Sequence, residues 1–185
     1  LYSHMHADQT HGINDLRIFY IKNKKKIPIY CDSDTKKYLL KNFKYCFSNT
    51  FSYPAILKIN PLKKKIIFKE KFSNLKIKII KVKHGMVMCN AFIVNNKCAY
   101  LSDVSKIYSK DYKYFKNLKY FIIDCLRYKM HPSHLNLDEA LKLASLLKPK
   151  KTILTNLHSD LDYRKLKKIL PKNIIPAYDG MSFNL

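Results

Sequence analysis

Three histidines lie close together near the start of the chain, at positions 4, 6 and 11. His4 and His6 are separated by one residue, so on an extended segment both imidazoles project to the same side. Asp8 continues this alternation and adds a carboxylate oxygen. Two imidazoles and a carboxylate suit a divalent metal of the zinc type. The alternatives are a histidine-rich surface loop and the remnant of an expression tag.

The remaining histidines follow segments whose residue pattern predicts β-strands. Loops at the ends of strands commonly carry the functional residues of rigid scaffolds. Since histidines recur at four predicted strand ends, we expect them to form one site rather than scattered surface positions. The residues at these further ends are His84, Asp103, His131, His134, His158 and Asp160.

The elements that must position these residues follow from periodicity and from capping signals. Residues 75–83 alternate apolar residues with lysine, which predicts a half-buried strand with a basic outer face. Asn95 and Asn96 predict a tight turn, because asparagine tolerates positive φ. The other predicted strands are 27–30, 86–94, 97–101, 120–124 and 152–155, and the predicted helices are 36–44, 108–117, 136–147 and 162–170, with a closing extended segment at 174–185. Leu1 and Tyr2 resemble the tail of a strand whose beginning is missing. Strands followed by alternating helices and strands predict a layered sheet with helices outside.

Composition indicates a folded protein with an unusual charge. The 185 residues are 47% hydrophobic, which is enough for one domain with a sizeable core, and the net charge is +23. That charge suits a polyanion such as RNA or a phosphorylated small molecule, or it reflects a solvated lysine surface. Five cysteines without a C-x-x-C pair, no apolar run of membrane-spanning length and no signal sequence predict a cytoplasmic protein that does not bind membranes.

The segment 4–8, H-M-H-A-D, resembles the H-x-H-x-D-H signature of the metallo-β-lactamase superfamily, and residues 8–17 resemble the version found in PhnP-type phosphodiesterases. The likeness covers nearly the whole chain and continues in order through 84–85, 102–103, 126–134, 154–163 and 178–180. It implies an α/β fold, the αββα sandwich, as a single domain over 1–185. Members begin with strands and a Gly-rich turn that this chain lacks, so we expect an N-terminally incomplete fragment.

The resemblance also implies a divalent metal centre, with zinc or manganese as one or two ions. Its first site would be formed by His4, His6 and His84, with Asp103 bridging. Its second site would use Asp8, Asp103, the residue after Asp8 and a histidine within 154–163. Gln9 and Asn156 stand where the family has histidines, and both departures affect the second metal. Either the chain binds one metal tightly, as a mononuclear hydrolase or an inactive relative, or His11 and His158 substitute as ligands.

Further roles come from the same resemblance. Asp8 would orient or deprotonate a metal-activated water. His134 would donate a proton to the leaving alkoxide or bind the phosphate; the alternative is that it merely caps the helix predicted at 136–147. His131 is expected nearby or in a structural role. Independently of the resemblance, the planar guanidinium of Arg127 suits contact with a phosphate or a salt bridge with Asp15 or Asp124.

We therefore expect hydrolysis of a phosphodiester, of the cyclic nucleotide or ribose phosphate type, in a small phosphorylated substrate. One alternative is a tRNA 3′-end endonuclease of the RNase Z type, although three glycines in the whole chain, none of them clustered, do not support the Gly/Pro-rich arm of those enzymes. Another is a non-catalytic nucleic-acid-binding protein, based on the charge of +23. The sequence does not decide whether the protein forms a homodimer.

Overall fold

Residues 1–49, 53–69 and 74–185 are described by a computed structural model of the chain. The chain divides into two units, Leu1–Lys63 and Lys64–Leu185. The single domain expected over 1–185 therefore stays a prediction. Within the described ranges, no helix is both long enough and apolar enough to cross a bilayer.

The first unit contains a two-stranded parallel sheet and short helices. Its elements are α1 (Ala7–Thr10), a 3₁₀ helix (His11–Leu16), α2 (Arg17–Asn23), β1 (Ile27–Cys31), α3 (Ser33–Asn42), a second 3₁₀ helix (Lys44–Cys46) and β2 (Leu57–Pro61). The Asp32 side chain caps α3, where it accepts a hydrogen bond from Thr35 N. Ile13, Leu39 and Leu57 form the centre of this unit's core.

The second unit is built on a seven-stranded mixed sheet. Its strands lie side by side in chain order, as β3 (Lys65–Lys69), β4 (Asn74–His84), β5 (Val87–Val94), β6 (Cys98–Leu101), β7 (Tyr120–Asp124), β8 (Lys151–Thr155) and β9 (Ile174–Pro176). Neighbours from β3 to β6 are antiparallel, and those from β6 to β9 are parallel. The residues after β6, β7 and β8 consequently meet at one edge of the sheet.

Helices cover one face of this sheet. The helix α4 (Leu137–Leu147) buries Leu137, Ala140, Ala144 and Leu147, an apolar stripe at helical spacing. Its N-cap is Asn136, which exchanges hydrogen bonds with Glu139 in a capping box. The helix α5 (Tyr163–Ile169) begins after Asp162, whose side chain accepts from Lys165 N. The strands contribute Val82, Ala91, Ile93, Ala99, Leu101, Phe121, Ile123 and Leu154 to the same core.

Four sequence predictions about local structure were wrong. Leu1 and Tyr2 are not in a strand, although Tyr2 N donates to Tyr30 O at 2.9 Å. Asp8 does not continue an extended alternation, because α1 begins at Ala7. The helix expected over 108–117 is a 3₁₀ segment at Ser109–Tyr114, and only Ile174–Pro176 of the final extended segment is a strand.

The basic face predicted for β4 is divided between both sides of the sheet. The pairing of β4 with β5 runs without a bulge from Ile77 opposite Val94 to His84 opposite Val87. Side chains therefore alternate strictly along β4. Because Ile79 and Ile80 are adjacent, the lysines before them project to one face and those after them project to the other.

Candidate metal centre

Three of the expected site residues come together in the second unit. The ligand atoms of His84, Asp103 and His134 all lie within 4.8 Å of one another. His84 is the last residue of β4, Asp103 follows β6, and His134 lies between β7 and α4. His84 and Asp103 are buried, and His134 is half-buried. The strand ends thus deliver two imidazoles and a carboxylate to one point.

A hydrogen bond to backbone holds the His84 ring in a defined orientation. Its Nδ1 lies 2.6 Å from the carbonyl oxygen of Ser133, so Nδ1 must donate and Nε2 is left as the atom that can bind a metal. Gly85 permits this approach. It has a φ of +58°, and a Cβ at this position would lie 2.7 Å from Ser133 Cβ. A side chain here would therefore push away the loop that orients His84.

Asp124 organises the centre and was not among the predicted site residues. It is the fully buried last residue of β7, and its Oδ2 accepts from His134 Nδ1 at 2.8 Å and from Val104 N at 3.0 Å. Its Oδ1 accepts from Asn156 Nδ2 at 3.1 Å. Burial raises the pKa of Asp124, and the hydrogen bonds oppose that rise only in part. One carboxylate thus positions both His134 and the backbone that follows Asp103.

The contacts of His134 bear on the alternative that it merely caps the helix α4. Asn136 caps α4, while the His134 imidazole packs edge-on against the His84 ring with centroids 4.7 Å apart. His134 Nδ1 is also 3.7 Å from Asp103 Oδ1. The histidine therefore belongs to the polar cluster and does not act as a helix cap.

Two side chains, those of His131 and Arg127, hydrogen bond with the backbone of the loop that precedes His134. His131 Nδ1 accepts from Ser133 N at 3.3 Å, and its ring centroid lies 5.0 Å from that of His134. Burial and the neighbouring His134 lower the pKa of His131. The Arg127 guanidinium donates to the carbonyl oxygens of Lys129 and Met130, at 3.2 and 2.8 Å. These contacts stabilise the loop, and a phosphate contact by Arg127 stays a prediction.

The end of β8 does not bring a further imidazole to this group. Asn156 has a φ of +61° and directs its amide to Asp124. His158 Nδ1 lies 3.2 Å from Asp160 Oδ1, on a side chain that is 58% exposed. Within the described ranges, His158 is in none of the groups whose ligand atoms lie close enough to share an ion. Its role as a substitute ligand stays a prediction.

In the first unit, His4 and His6 are adjacent, as their spacing predicted. Their ring centroids are 4.5 Å apart, in an edge-to-face arrangement. His4 is buried and its Nδ1 lies 3.1 Å from Ser3 Oγ, whereas His6 is exposed. The Gln9 amide bridges this group, because its Nε2 donates to Asp8 Oδ2 at 2.9 Å and its Oε1 accepts from Ser3 Oγ at 3.3 Å.

The surroundings of Asp8 favour its ionised form. Burial acts to raise the pKa of Asp8, but the hydrogen bond from Gln9, a backbone hydrogen bond and the charges of His4 and His6 outweigh it and lower the pKa. The exposed His11 takes no part in this group. Its Nε2 lies 3.1 Å from the Tyr38 hydroxyl, so its role as a substitute ligand also stays a prediction.

The donor set of the second unit fits a divalent ion. Neutral imidazole and carboxylate are the ligands of zinc centres, and they also accept manganese. The hydrogen bond from His84 to a carbonyl is the kind that orients a metal-binding histidine, and the bond from His134 to a carboxylate fixes that ring beside the ligands. This chemistry, rather than a sequence motif alone, makes the cluster a candidate metal centre.

Comparison with known proteins places the chain in a family. Residues 1–156 match the model of the beta-lactamase superfamily domain. The chain therefore belongs to the metallo-β-lactamase superfamily. The expected fold class is thereby confirmed. The superfamily uses divalent metals, in agreement with the histidine and aspartate cluster.

Solved structures with the same fold cover nearly the whole chain. A diphosphatase of the PhnP family is 28% identical with a TM-score of 0.85, over 100% of this chain and 70% of that one. The metallo-β-lactamase fold protein YhfI from Bacillus subtilis is 18% identical with a TM-score of 0.74, over 97% and 74%. Human tRNase Z, short form, is 16% identical with a TM-score of 0.66, over 97% and 76%. No curated protein sequence matches the chain.

Proposed function

We propose that the protein is a metal-dependent hydrolase of phosphodiesters, acting on small substrates of the cyclic nucleotide or ribose phosphate type. The observation that carries this proposal is the convergence of His84, Asp103 and His134 within 4.8 Å at the edge of the sheet. The structure with a TM-score of 0.85 to this chain is a diphosphatase of the PhnP family, which supports a phosphorus-centred reaction.

From the sequence motif alone, the proposed ligands also include His4, His6 and Asp8. When bound, a divalent ion supplies Lewis acidity and lowers the pKa of water toward neutrality. The proposed ion is zinc or manganese, because imidazole and carboxylate ligands suit both.

The chain's own residues would handle the protons of the reaction. His134 is suited to protonate a leaving alkoxide, because Asp124 accepts from its Nδ1 and the proton to be transferred is then carried on Nε2. Asp124 also stabilises the positive charge that His134 carries before the transfer. Asp8, with its lowered pKa, is suited to orient the attacking water as a carboxylate.

We further propose that the chain holds one ion tightly. Gln9 and Asn156 occupy the two positions where the family has histidines, and both amides are engaged with carboxylates. Gln9 donates to Asp8, and Asn156 donates to Asp124. A neutral amide is a weaker ligand for a divalent ion than the imidazole it replaces, and the hydrogen bond from Gln9 also competes with a second cation for Asp8.

Hydrolysis of bis(p-nitrophenyl) phosphate with added Mn²⁺ or Zn²⁺ tests the proposed activity. We expect Asp103→Asn to lose on the order of 10³-fold in kcat/KM, because a ligand that carries charge is lost. Asp111→Asn, an aspartate in the Ser109–Tyr114 segment, is the matched control and should retain activity. Wild type without metal-dependent activity, or equal rates in both variants, would contradict the proposal.

The alternative of an RNase Z type endonuclease has one observation in its favour, the net charge of +23. Cleavage of a precursor tRNA at its 3′ end, with slower turnover of small phosphodiesters, would favour this alternative. Turnover of small phosphodiesters alone would favour the proposal above.

A further inference from the structure

A cluster of lysines lies at the end of β4 that is opposite to His84. Lys65 on β3 is directly across from Lys78 on β4, and Lys76 is two residues before Lys78. Directly opposed residues of an antiparallel pair, and residues two apart on a strand, project to the same face. The three ammonium groups thus share one face of the sheet. We call these three residues the lysine cluster.

Nothing in the nearby described chain neutralises this cluster. Residues 65–69 and 74–102 contain no aspartate or glutamate, and in the described part of the chain no carboxylate pairs with Lys65, Lys76 or Lys78. Lys78 Nζ instead lies 4.6 Å from the centroid of the Tyr114 ring, and Lys113 Nζ lies 5.3 Å from the same centroid. Like charges directly opposite each other destabilise a sheet. A bound polyanion would convert that repulsion into attraction.

The lysine cluster borders a cavity rather than a flat surface. The cavity has a volume of about 220 Å³, with Ile93 and Asn96 also in its lining. Ammonium groups around an apolar floor suit a ligand with both phosphate and less polar parts, such as the backbone and bases of a nucleic acid. A planar lipid headgroup surface does not enter a concavity of this kind.

The cluster is separate from the candidate metal centre. His84 is six positions after Lys78 on β4, which corresponds to roughly 20 Å along the strand. A small phosphodiester bound at His84 therefore cannot reach the lysines. The two sites can be altered independently of each other.

We propose that the lysine cluster is a docking site for single-stranded nucleic acid. The strand binds through its phosphates to Lys65, Lys76 and Lys78. Affinity comes mainly from the release of counterions, so binding is tolerant of sequence and strongly dependent on salt. This inference does not rest on the proposed hydrolase activity.

Fluorescence anisotropy with a labelled oligouridylate of about twelve nucleotides tests this site in the full chain. We expect the triple variant Lys65→Gln, Lys76→Gln, Lys78→Gln to bind about tenfold more weakly, and the slope of log K against log salt to fall by about 2. The matched control removes the same charge from α5, as Lys165→Gln, Lys167→Gln, Lys168→Gln, and should keep the wild-type affinity and slope. A third variant with arginine at the cluster should also bind as wild type does.

Equal weakening in the cluster variant and the α5 variant would overturn the proposal, since the total charge alone would then explain binding. Absence of oligouridylate binding by wild type, or lysine-dependent binding only to phosphatidylserine vesicles, would overturn it too. Hydrolysis of bis(p-nitrophenyl) phosphate should be unchanged in the cluster variant. That readout separates a failure of the docking site from a failure of the proposed hydrolase.

Discussion

The two ends of strand β4 place polar residues in opposite physical situations. At the His84 end, side chains are buried and held by short hydrogen bonds, such as His84 to Ser133 O at 2.6 Å and His134 to Asp124 at 2.8 Å. At the other end, Lys65 and Lys78 are opposed with no carboxylate partner in the described chain. Hydrogen bonds fix the side-chain positions at the His84 end, whereas positive charges face each other at the lysine end. Substitutions should therefore act differently at the two ends.

Among residues that support the site rather than form it, the largest effect is expected where one buried group positions several others. Asp124→Asn should lower metal affinity or kcat/KM by roughly 10- to 100-fold, because the amide cannot accept from His134, Val104 N and Asn156 together. Isothermal titration with Zn²⁺ and steady-state kinetics measure this loss. Asn156→Ala removes one donor and should have a smaller effect. Wild-type metal affinity and kinetics in Asp124→Asn would contradict the positioning role of Asp124.

Gly85→Ala tests the close approach of two backbones at the same end. The new Cβ would lie 2.7 Å from Ser133 Cβ, at a φ of +58°. We expect a loss of about 1–3 kcal/mol in the free energy of unfolding, measured by urea denaturation. Ala99→Gly, within buried β6, is a control for the general effect of changing a small residue. Unchanged stability in Gly85→Ala would show that the loop can move away from His84 at little cost.

Alkaline pH should affect the lysine-bearing end through Cys98, the first residue of β6. Burial raises the pKa of this thiol from 9.0 to about 11. In the unfolded chain the Cys98 thiol ionises at its ordinary, lower pKa. The fold favours the neutral thiol, so the contribution of Cys98 to the free energy of unfolding is complete below about pH 9 and is lost as pH rises toward about 11. Urea denaturation across this range should show a shallower decline in Cys98→Ala than in wild type. Parallel declines in both proteins would assign the pH dependence to other groups.

The smallest effect is expected at the lysine cluster, where a substitution should stabilise the protein rather than destabilise it. Lys65→Glu places an opposite charge across from Lys78, which should increase the free energy of unfolding by about 0.2–1 kcal/mol. The gain should shrink at high salt, since both groups are near the surface. Lys69→Glu, across from Asn74, is the matched control and should change stability less. A destabilised Lys65→Glu protein would contradict the charge repulsion inferred here.

Much of the fold could be predicted because its signals are local. The buried run at 120–124, the paired asparagines at 95 and 96 and the N-cap at Asp32 each determine their own structure. The single basic face predicted for β4 was wrong, because the adjacent Ile79 and Ile80 interrupt the apolar–lysine alternation and place the lysines before and after them on opposite faces. The start of α1 at Ala7 was missed because four residues carry too little periodicity.

The sequence indicated which residues come together but not what supports them. His84, Asp103 and His134, each placed after a predicted strand, lie within 4.8 Å of one another. Asp124 was missed although it ends a buried apolar strand, where a carboxylate needs a partner, because that partner comes from a loop ten residues later. The contact between Asn156 and Asp124 joins two strand ends, so only the tertiary structure reveals it.

The central claim is a metal centre that holds one ion tightly, and metal content per chain tests it most directly. Elemental analysis should compare wild type with the double variant Gln9→His, Asn156→His after equilibration with Zn²⁺ and removal of free ion. We expect one equivalent in wild type and two in the double variant, because the variant restores both family histidines. Two equivalents in wild type that fall to one in His158→Ala would show that His158 substitutes as a ligand. No bound metal in wild type would contradict the metal centre itself.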